Sequence, residues 1–267
     1  MNPPGSKIVV KVGGTLLDEA ESRDKIAAQL ASLPGRGVRL VAVHGGGKQM
    51  TRYLAERGIE SRFVNGLRVT GPETLDAILK VFAGTVNQEL VASLNRAGAL
   101  AVGLSGIDAL LAEAEQMDPD LGAVGRVVKS NPALLGLLTE HGYLPVIACV
   151  AGDRQGRVYN VNADQMAVAC ADAFGAEALI FLTDVEGVLD ESRHVRTRLT
   201  TSESERLIRD GIATGGMQAK LRAAQAALCS GVARVLIAPG AAPRIVERTL
   251  SGELVGTQMV SSEVYAR

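Results

Sequence analysis

Short apolar runs that end in glycines and lead into helical patterns recur along this chain, and they limit its fold more than any other feature. Residues 8–16 read IVVKVGGTL, and residues 38–47 read VRLVAVHGGG. Runs rich in β-branched residues are typical of buried strands, and the segments after them place apolar residues at helical spacing. Such repeated units predict an α/β fold in which helices cover both faces of a mostly parallel sheet.

The same pattern extends over most of the chain. Strands are predicted at residues 8–12, 38–43, 100–104, 144–150, 178–182 and 232–237. Helices are predicted at residues 18–33, 48–57, 73–97, 132–141, 165–174 and 203–210, and around Lys220. Residues 113–128 predict a small hairpin outside the main sheet. Ligands of such folds bind beyond the carboxyl ends of the strands, where Lys11, the glycines at 45–47, Asp164 and Asp184 would fall.

Composition excludes several classes of function. The 267 residues are 47% hydrophobic and carry a net charge of −1, which gives no basic surface for nucleic acid or an anionic membrane. The absence of tryptophan argues against stacking on single-stranded nucleic acid. No apolar stretch approaches the length of a membrane span, and the first residues do not resemble a secretion signal. The three cysteines lack C-x-x-C spacing and predict reduced thiols, so a cytoplasmic protein is expected.

The glycines at positions 45–47 lie between a buried strand and a predicted helix. Backbone N–H groups and the positive end of the helix dipole converge at such a point, and glycine leaves room for a ligand. The segment fits neither the P-loop pattern nor the G-x-G-x-x-G dinucleotide turn. A mobile turn would also be rich in glycine, but so apolar a strand just before the loop favours an anion site.

Two cations in apolar or turn-rich segments each allow two interpretations. Lys11 interrupts the first strand, and burying an unpaired ammonium is costly. It therefore points either at an anion beyond the strand ends or, from an edge strand, at water. Arg68 is either a surface charge or a clamp whose planar guanidinium binds a carboxylate through two hydrogen bonds.

Phosphoryl transfer to a small acceptor is a reaction that would use such lysines and glycine loops. Such a reaction needs fixed positive charge and N–H donors around the moving phosphoryl oxygens. Lys11 and Lys220 could flank the transferred group, and Asp164 could hold both ammonium groups and keep them charged. The alternatives are that Asp164 caps the helix at 165–174 and that Lys220 lies on a solvated face.

Ten segments in order make the chain similar to the amino acid kinase family over residues 7–260. They are KVGG (11–14), HGGG (44–47), NGLRVT (65–70), FAGTVNQ (82–88), GLSGID (103–108), LGAVGRV (121–127), GYLPVI (142–147), NVNAD (160–164), LTDVEGVL (182–189) and GGMQAK (215–220). KVGG or HGGG alone would be weak signals. The combination of NGLRVT, NVNAD and GGM-x-x-K is specific.

The resemblance implies a three-layer αβα sandwich with the amino acid kinase, or carbamate-kinase-like, fold. It implies one domain over residues 1–267, in which about 1–155 binds the acceptor and dimerises and about 156–267 binds ATP. The implied reaction transfers the γ-phosphoryl of ATP to the side-chain carboxylate of N-acetyl-L-glutamate, the second step of arginine synthesis. Mg²⁺ would arrive with the nucleotide, and no protein metal site is expected. No general base is required, because the acceptor carboxylate is ionised at neutral pH.

Site residues follow from the same motifs. The resemblance assigns transition-state stabilisation to Lys11 and Lys220, which Asp164 organises. Residues expected to bind the acceptor are Gly46, Gly47, Arg68 (at the α-carboxylate) and Asn160. Residues expected along the nucleotide are Gly13, Gly14, Asp184, Val185, Glu186, Gly187, Val188, Leu189, Ile212, Ala213 and Thr214.

The chain departs from the family pattern at a few positions. Ala109 follows GLSGID where glycine is usual, and Lys48 follows HGGG where proline is frequent. Neither is an assigned site residue. The chain begins almost at its first strand, and residues 237–257 lack the histidine and acidic pattern of arginine-inhibited members. An arginine-insensitive homodimer is therefore expected, with the helix at 73–97 at its interface.

Three other functions fit parts of the sequence. A sister kinase that acts on another carboxylate, such as the carrier-protein-linked aminoadipate kinase, would share the fold, but NGLRVT and NVNAD argue against it. A non-catalytic amino-acid or nucleotide sensor would not need both lysines and Asp164. A nicotinamide oxidoreductase is disfavoured because G-x-G-x-x-G is missing.

Overall fold

The computed structural model describes residues 5–262 and is built around an eight-stranded sheet. In chain order, the strands of the molecule are β1 (Lys7–Val12), β2 (Arg39–His44), β3 (Phe63–Val64), β4 (Leu67–Arg68), β5 (Leu100–Ser105), β6 (Ala112–Gln116), β7 (Gly125–Ser130), β8 (Tyr143–Ala148), β9 (Val150–Gly152), β10 (Val158–Asn160), β11 (Ala178–Thr183), β12 (Arg198–Thr200), β13 (Arg234–Pro239) and β14 (Thr257–Val260). The order of the large sheet is β12-β14-β13-β11-β1-β2-β8-β5.

Nine α-helices lie within the described residues. They are α1 (Ala20–Ala31), α2 (Gly47–Ala55), α3 (Pro72–Ile78), α4 (Asn87–Arg96), α5 (Ala133–Glu140), α6 (Ala163–Phe174), α7 (Thr201–Arg209), α8 (Gly215–Cys229) and α9 (Ile245–Leu250). Helices α1, α4 and α9 pack on one face of the large sheet, and α5, α6 and α8 pack on the other. The result is the three-layer sandwich expected from the sequence.

The chain adds strands on one side of β1 in its first half and on the other side in its second half. From β1 the chain runs outward to β2 on one side, and the later strands β11 and β13 lie on the other side. All six strands from β13 to β5 run parallel, whereas β14 pairs antiparallel with β13. Right-handed crossovers then put the helices that follow β1 and β11 on opposite faces. A crevice opens at the carboxyl ends of β1 and β11, the usual ligand position in such sheets.

The central strand shows why this sequence forms this layer. Ile8, Val9 and Val10 have no exposed surface, because helices cover both faces of β1 and strands flank both edges. Burial on both faces produces a continuous apolar run instead of the alternation typical of a half-exposed strand. Lys11 lies in this strand between β11 and β2, so the edge-strand interpretation of that lysine is wrong.

Two small sheets lie outside the sandwich. Strands β6 and β7 form the hairpin predicted at residues 113–128, and they belong to a four-stranded sheet of order β10-β9-β6-β7. Strands β3 and β4 form a two-stranded hairpin. Its turn residues Asn65 and Gly66 have φ values of 49° and 80°, which is the left-handed conformation that Asn-Gly turns adopt.

The structure corrects several predicted boundaries. The helix predicted at 73–97 is helical throughout, but residues Leu79–Val86 form a π-helix between α3 and α4. The strand predicted at 144–150 divides into β8 and β9. Strands β12 and β14 and helix α9 had no prediction, since their apolar runs are too short to indicate a structure. In the described residues no helix is long and apolar enough to cross a membrane.

Candidate active site

A cavity of about 960 Å³ lies at the crevice between the carboxyl ends of β1 and β11. It brings together residues from both halves of the chain that the sequence assigned to one site. The assigned residues that line it are Lys11, Gly13, Gly14, Gly46, Gly47, Arg68, Asn160, Asp164, Asp184, Val185 and Lys220.

Three charged side chains meet at the base of this cavity. Lys11 Nζ lies 2.8 Å from Asp164 Oδ1, and Lys220 Nζ lies 3.2 Å from Asp164 Oδ2. The three side chains are 11%, 8% and 9% exposed in the order Lys11, Asp164, Lys220. Strand β1, helix α6 and helix α8 each contribute one of them, so the cluster exists only when both halves of the chain are folded. One carboxylate between two ammonium groups leaves a net positive charge.

The charges of this cluster depend on one another. Burial by itself would raise the pKa of Asp164, but the charges and hydrogen bonds of Lys11 and Lys220 lower it below its usual value. Burial lowers the pKa of Lys220, the charge of Lys11 adds to that effect, and Asp164 opposes it. Asp164 therefore stays ionised and supports the cationic form of Lys220.

Both alternative interpretations of this cluster are wrong. Helix α6 begins at Ala163, and its N-cap is Asn162, whose side chain accepts hydrogen bonds from the N–H groups of Asp164 and Gln165. Asp164 is thus in the first helical turn and turns its carboxylate to the lysines. Lys220 is buried, with its ammonium 5.5 Å from the centre of the Phe181 ring, and does not lie on a solvated face.

The glycine loop, residues 45–47, forms an uncharged wall of the same cavity. The N–H groups of Gly46 and Gly47 have no hydrogen-bond acceptor within residues 5–262. Gly47 is the first residue of α2, and the first turn of that helix carries no acidic side chain. Free N–H groups at a helix N-terminus bind anions.

Close packing explains why this loop needs glycine. A Cβ on Gly46 would lie 3.0 Å from atoms of Phe82 and Val86, which belong to the π-helical segment. A Cβ on Gly14 would lie 3.1 Å from the backbone nitrogen of Gly47. The loops after β1 and β2 therefore touch backbone to backbone.

Arg68 is held beside the glycine loop. It is 7% exposed, and its guanidinium donates hydrogen bonds to Thr51 Oγ1 (2.9 Å), the Gly47 carbonyl (3.3 Å) and the hydroxyl of Ser61. The guanidinium also lies 4.5 Å from the centre of the Phe63 ring. Burial lowers the pKa of Arg68, but an arginine stays charged at neutral pH. A buried, oriented guanidinium suits a carboxylate ligand and excludes the interpretation as a simple surface charge.

Asn160 reaches the cavity from the second half of the chain. Its side-chain nitrogen donates to Thr70 Oγ1 at 3.1 Å, and its backbone N–H donates to the Ala123 carbonyl at 2.8 Å. It thereby ties the segment after Arg68 to strand β10 and the loop before α6.

The residues assigned to the nucleotide divide into two groups. Gly13, Gly14, Asp184 and Val185 line the cavity. Glu186, Gly187, Val188, Leu189, Ile212, Ala213 and Thr214 do not line it. Val188 turns into the core, where its N–H donates to Thr257 Oγ1 at 2.8 Å. Gly216 and Met217, which follow Thr214 closely, do line the cavity and had no prediction.

Other residues at this site also had no prediction. Thr51 and Ser61 orient Arg68, and Thr70 orients Asn160. His44 and Asn87 form a buried pair below the glycine loop. A polar Asn87 inside an apolar helical run was the available signal, because a buried amide must find hydrogen-bond partners.

The described residues contain no group of three or more His, Cys, Asp or Glu side chains that could hold a metal ion. Asp184 lines the cavity. The hydroxyl of Thr183 donates a hydrogen bond to the Asp184 carboxylate at 3.3 Å. One such carboxylate fits an ion that is held mainly by phosphate oxygens and water.

The sandwich and its site define a class of protein. The model of the amino acid kinase family matches residues 6–239, and the chain belongs to that family. Membership agrees with a site that combines buried cations with free backbone donors, as phosphoryl transfer requires.

Two relatives and one solved structure each match 96% of this chain. The acetylglutamate kinase of Solibacter usitatus is 69% identical over 256 residues, which cover 96% of this chain and 100% of that protein. The acetylglutamate kinase of a Sulfurihydrogenibium species is 39% identical and covers 96% of this chain and 92% of its own length. Among solved structures, the N-acetylglutamate synthase of Neisseria gonorrhoeae with coenzyme A and N-acetyl-glutamate matches with a TM-score of 0.84 and 28% identity. That match covers 96% of this chain and 59% of the synthase chain.

Proposed function

We propose that this protein transfers the γ-phosphoryl group of ATP to the side-chain carboxylate of N-acetyl-L-glutamate, as in the second step of arginine biosynthesis. The observation that carries the proposal is the Lys11–Asp164–Lys220 cluster, which shares one cavity with the glycine loop and Arg68. The full-length relative that is 69% identical and named acetylglutamate kinase supports this choice of acceptor.

The acceptor is a dianion, and the cavity offers a separate partner for each charge. Arg68 is buried and oriented by Thr51 and Ser61, which suits two hydrogen bonds to the α-carboxylate. Asn160 adds an amide at the same end of the cavity. The side-chain carboxylate would then face the glycine loop and the lysines, where transfer takes place.

Transfer forms a bond between a carboxylate oxygen and phosphorus and breaks the bond between the γ-phosphorus and the oxygen that leaves with ADP. The attacking carboxylate is ionised, so no proton has to move. Negative charge spreads over the transferred phosphoryl oxygens, and Lys11 and Lys220 are placed to neutralise it. Asp164 holds the two ammonium groups in place and supports the cationic form of Lys220. The free N–H groups of Gly46 and Gly47 add donors without adding charge.

The nucleotide would lie along Gly13, Gly14, Asp184 and Val185. The residues assigned farther along, at 186–189 and 212–214, would contact it beyond the cavity. Mg²⁺ would enter with ATP and supply charge neutralisation at the phosphates, held by phosphate oxygens, water and at most the carboxylate of Asp184. Residues at about 1–155 would then supply most of the acceptor site, together with Asn160, and those at about 156–267 would supply most of the nucleotide site, together with Gly13 and Gly14.

We also propose that the active form is an arginine-insensitive homodimer. Strand β5 is the edge of the large sheet, and Leu100, Leu137 and Tyr143 near that edge are 61%, 57% and 40% exposed. An edge strand with apolar neighbours is commonly covered by a partner, and the helical run that begins at Pro72 lies next to β5 in the fold. Sedimentation velocity with and without arginine tests this. A hexamer, or inhibition by low arginine, would contradict it.

The reaction is tested by trapping the acyl phosphate with hydroxylamine in the presence of ATP and Mg²⁺. N-acetylglutamate, glutamate and aspartate serve as acceptors in parallel. Turnover with N-acetylglutamate alone supports the proposal, because only that acceptor has both the side-chain carboxylate and the acylated amine. Measurable ATP binding without turnover of any of the three would overturn it and favour the carrier-linked kinase or the sensor.

A further inference from the structure

A buried histidine lies directly before the glycine loop and is paired with an asparagine from a different element. His44 is the last residue of β2 and has no exposed surface, and Asn87 is the first residue of α4 and is 1% exposed. The distance between His44 Nε2 and Asn87 Nδ2 is 2.9 Å. His44 Nδ1 lies 3.0 Å from the carbonyl oxygen of Gly45.

The directions of these hydrogen bonds follow from one carbonyl group. Asn87 Nδ2 also lies 2.9 Å from the Val146 carbonyl oxygen, which can only accept. The amide nitrogen therefore donates one hydrogen to Val146 and the other to His44 Nε2. Since Nε2 accepts, a neutral His44 carries its proton on Nδ1, and this proton is donated to the Gly45 carbonyl.

The position of Asn87 is fixed by its surroundings. A Cβ on Gly103 of strand β5 would lie 2.1 Å from Asn87 Oδ1, so the asparagine side chain fills the space that this glycine leaves. Asn87 follows the π-helical segment whose Phe82 and Val86 pack against Gly46. π-helical segments are frequent at functional sites. The same run thus supports the glycine loop in two ways. Phe82 and Val86 pack against it, and the hydrogen bonds from Asn87 to His44 and from His44 to Gly45 form a relay.

We propose that His44 and Asn87 are positioning residues that aim the Gly46 N–H at the group being transferred. The C=O of Gly45 and the N–H of Gly46 belong to one planar trans peptide and point in opposite directions. A donor that holds the carbonyl on one side therefore sets the direction of the N–H on the other. This inference rests on the proposed kinase function, because it assigns a purpose to a donor of that site.

The neutral ring suits this purpose. Burial lowers the pKa of His44 to about 4, so at neutral pH the ring donates from Nδ1 and accepts at Nε2. The relay then carries no charge of its own into the cavity, where Lys11, Asp164 and Lys220 already provide the charge.

Replacement of Asn87 by leucine tests the consequence for catalysis. Asn87→Leu keeps the branched shape and removes both donated hydrogen bonds, so His44 loses the partner that fixes its ring and its Nδ1 proton, and the Gly45–Gly46 peptide is held less firmly. We expect kcat for N-acetylglutamate to fall by about 10- to 100-fold, with the KM for ATP nearly unchanged, because misplaced donors act on the transition state. The matched control is Ser93→Ala, which removes a hydrogen bond from the same helix, to Asp24, away from the cavity.

Nitrogen NMR tests the relay itself in the free protein. The chain has three histidines, so the His44 ring signals can be assigned by its substitution. We expect protonated Nδ1 and unprotonated Nε2 near neutral pH in the wild type. In Asn87→Asp, Nε2 should gain a proton and donate it to the carboxylate, while Nδ1 keeps its bond to Gly45. The carboxylate cannot donate to the Val146 carbonyl, so that hydrogen bond is lost. This variant should therefore recover part of the kcat lost in Asn87→Leu.

The outcomes separate this inference from the proposed reaction. A wild type that turns over N-acetylglutamate, with Asn87→Leu as active as Ser93→Ala, overturns the positioning role and leaves the kinase function intact. A proton on Nε2 in the wild type also overturns it. If the wild type turns over no acceptor, the proposed reaction fails. A shift of the Gly46 amide signal in Asn87→Leu, but not in Ser93→Ala, still supports the relay in that case, and its absence refutes the relay.

Discussion

The charged cluster and the glycine loop line the same cavity but supply positive potential in different ways. The cluster uses full charges, and its three side chains come from strand β1 and helices α6 and α8. The loop uses uncharged N–H groups from one short segment, and Phe82, Val86 and His44 support it from below.

The two regions therefore have different requirements. Buried charges need partners, because an unpaired ion in the interior costs several kcal/mol. Backbone donors need space and a fixed peptide orientation, so a single methyl group can disturb them. We therefore expect the cluster to lose most activity and stability when a charge is removed, and the loop to lose most when a small steric change is made.

The largest effect is expected from Asp164→Asn, which leaves two buried ammonium groups without a counter-ion. Loss of one partner of a buried ion pair costs about 3–5 kcal/mol. The pKa of Lys220, which burial and Lys11 already lower, should fall further once Asp164 no longer opposes them. We expect kcat to fall by about 100-fold or more. Urea unfolding and the hydroxamate assay measure the two quantities.

The matched control for this change is Glu21→Gln. Glu21 pairs with Lys25 on the surface of α1, at side-chain exposures of 82% and 66%, and such pairs contribute little. Equal losses of stability in the two variants would remove the distinction between a buried cluster and a surface pair.

A steric change should affect the loop next most strongly. Gly46→Ala would bring its Cβ to 3.0 Å from Phe82 and Val86, whereas Gly47→Ala meets nothing within 4 Å. We expect Gly46→Ala to cost about 1–3 kcal/mol, as overpacking does, and Gly47→Ala to cost much less. Thermal unfolding of both variants makes the comparison. Unfolding of both at the same temperature would mean that Phe82 and Val86 do not restrict position 46.

Replacement of the guanidinium by an ammonium is expected to have a smaller, selective effect. Arg68→Lys keeps the charge but loses the planar fork and the bonds to Thr51 and Ser61. We expect the KM for N-acetylglutamate to rise by about 10-fold, equivalent to one charge-assisted hydrogen bond, with the KM for ATP unchanged. A rise in both constants would mean that Arg68 acts on the fold and not on the acceptor.

The effect that is smallest near neutral pH is a pH dependence of stability, which comes from His44 beneath the glycine loop. The pKa of His44 is about 4 in the folded protein and 6.5 in the unfolded chain. Between these values the unfolded chain binds more protons, so stability falls as the pH falls from 6.5 to 4, by up to about 3 kcal/mol. The pH profile of the free energy of unfolding, wild type minus His44→Gln, isolates this contribution. A flat difference curve contradicts a neutral, buried His44.

Features carried by local patterns could be predicted from the sequence. The alternation of apolar runs, glycines and helical spacing predicted the layers of the fold. It also placed Lys11 and residues 45–47 together at the carboxyl ends of the parallel strands. The hairpin at 113–128 was also found. Each of these depends on residues that are neighbours in the chain, where propensity and spacing determine the structure.

Features set by tertiary packing could not be predicted in this way. His44 and Asn87 are 43 residues apart, and the space for Asn87 comes from Gly103 on a third element. Nothing local in the apolar run Leu79–Val86 distinguishes a π-helix from an α-helix. The segment after Val185 turns into the core because Thr257 accepts a hydrogen bond from Val188, a partner that only the fold reveals.

In the proposed reaction, Lys11 and Lys220, organised by Asp164, stabilise the transferred phosphoryl group. The most direct measurement is hydroxylamine-trapped turnover of N-acetylglutamate by Lys220→Ala, beside the wild type and the surface variant Lys25→Ala. We expect a fall in kcat of about 100-fold or more, with both KM values within about threefold and Lys25→Ala equal to the wild type. A Lys220→Ala kcat close to that of the wild type would contradict the two-lysine mechanism.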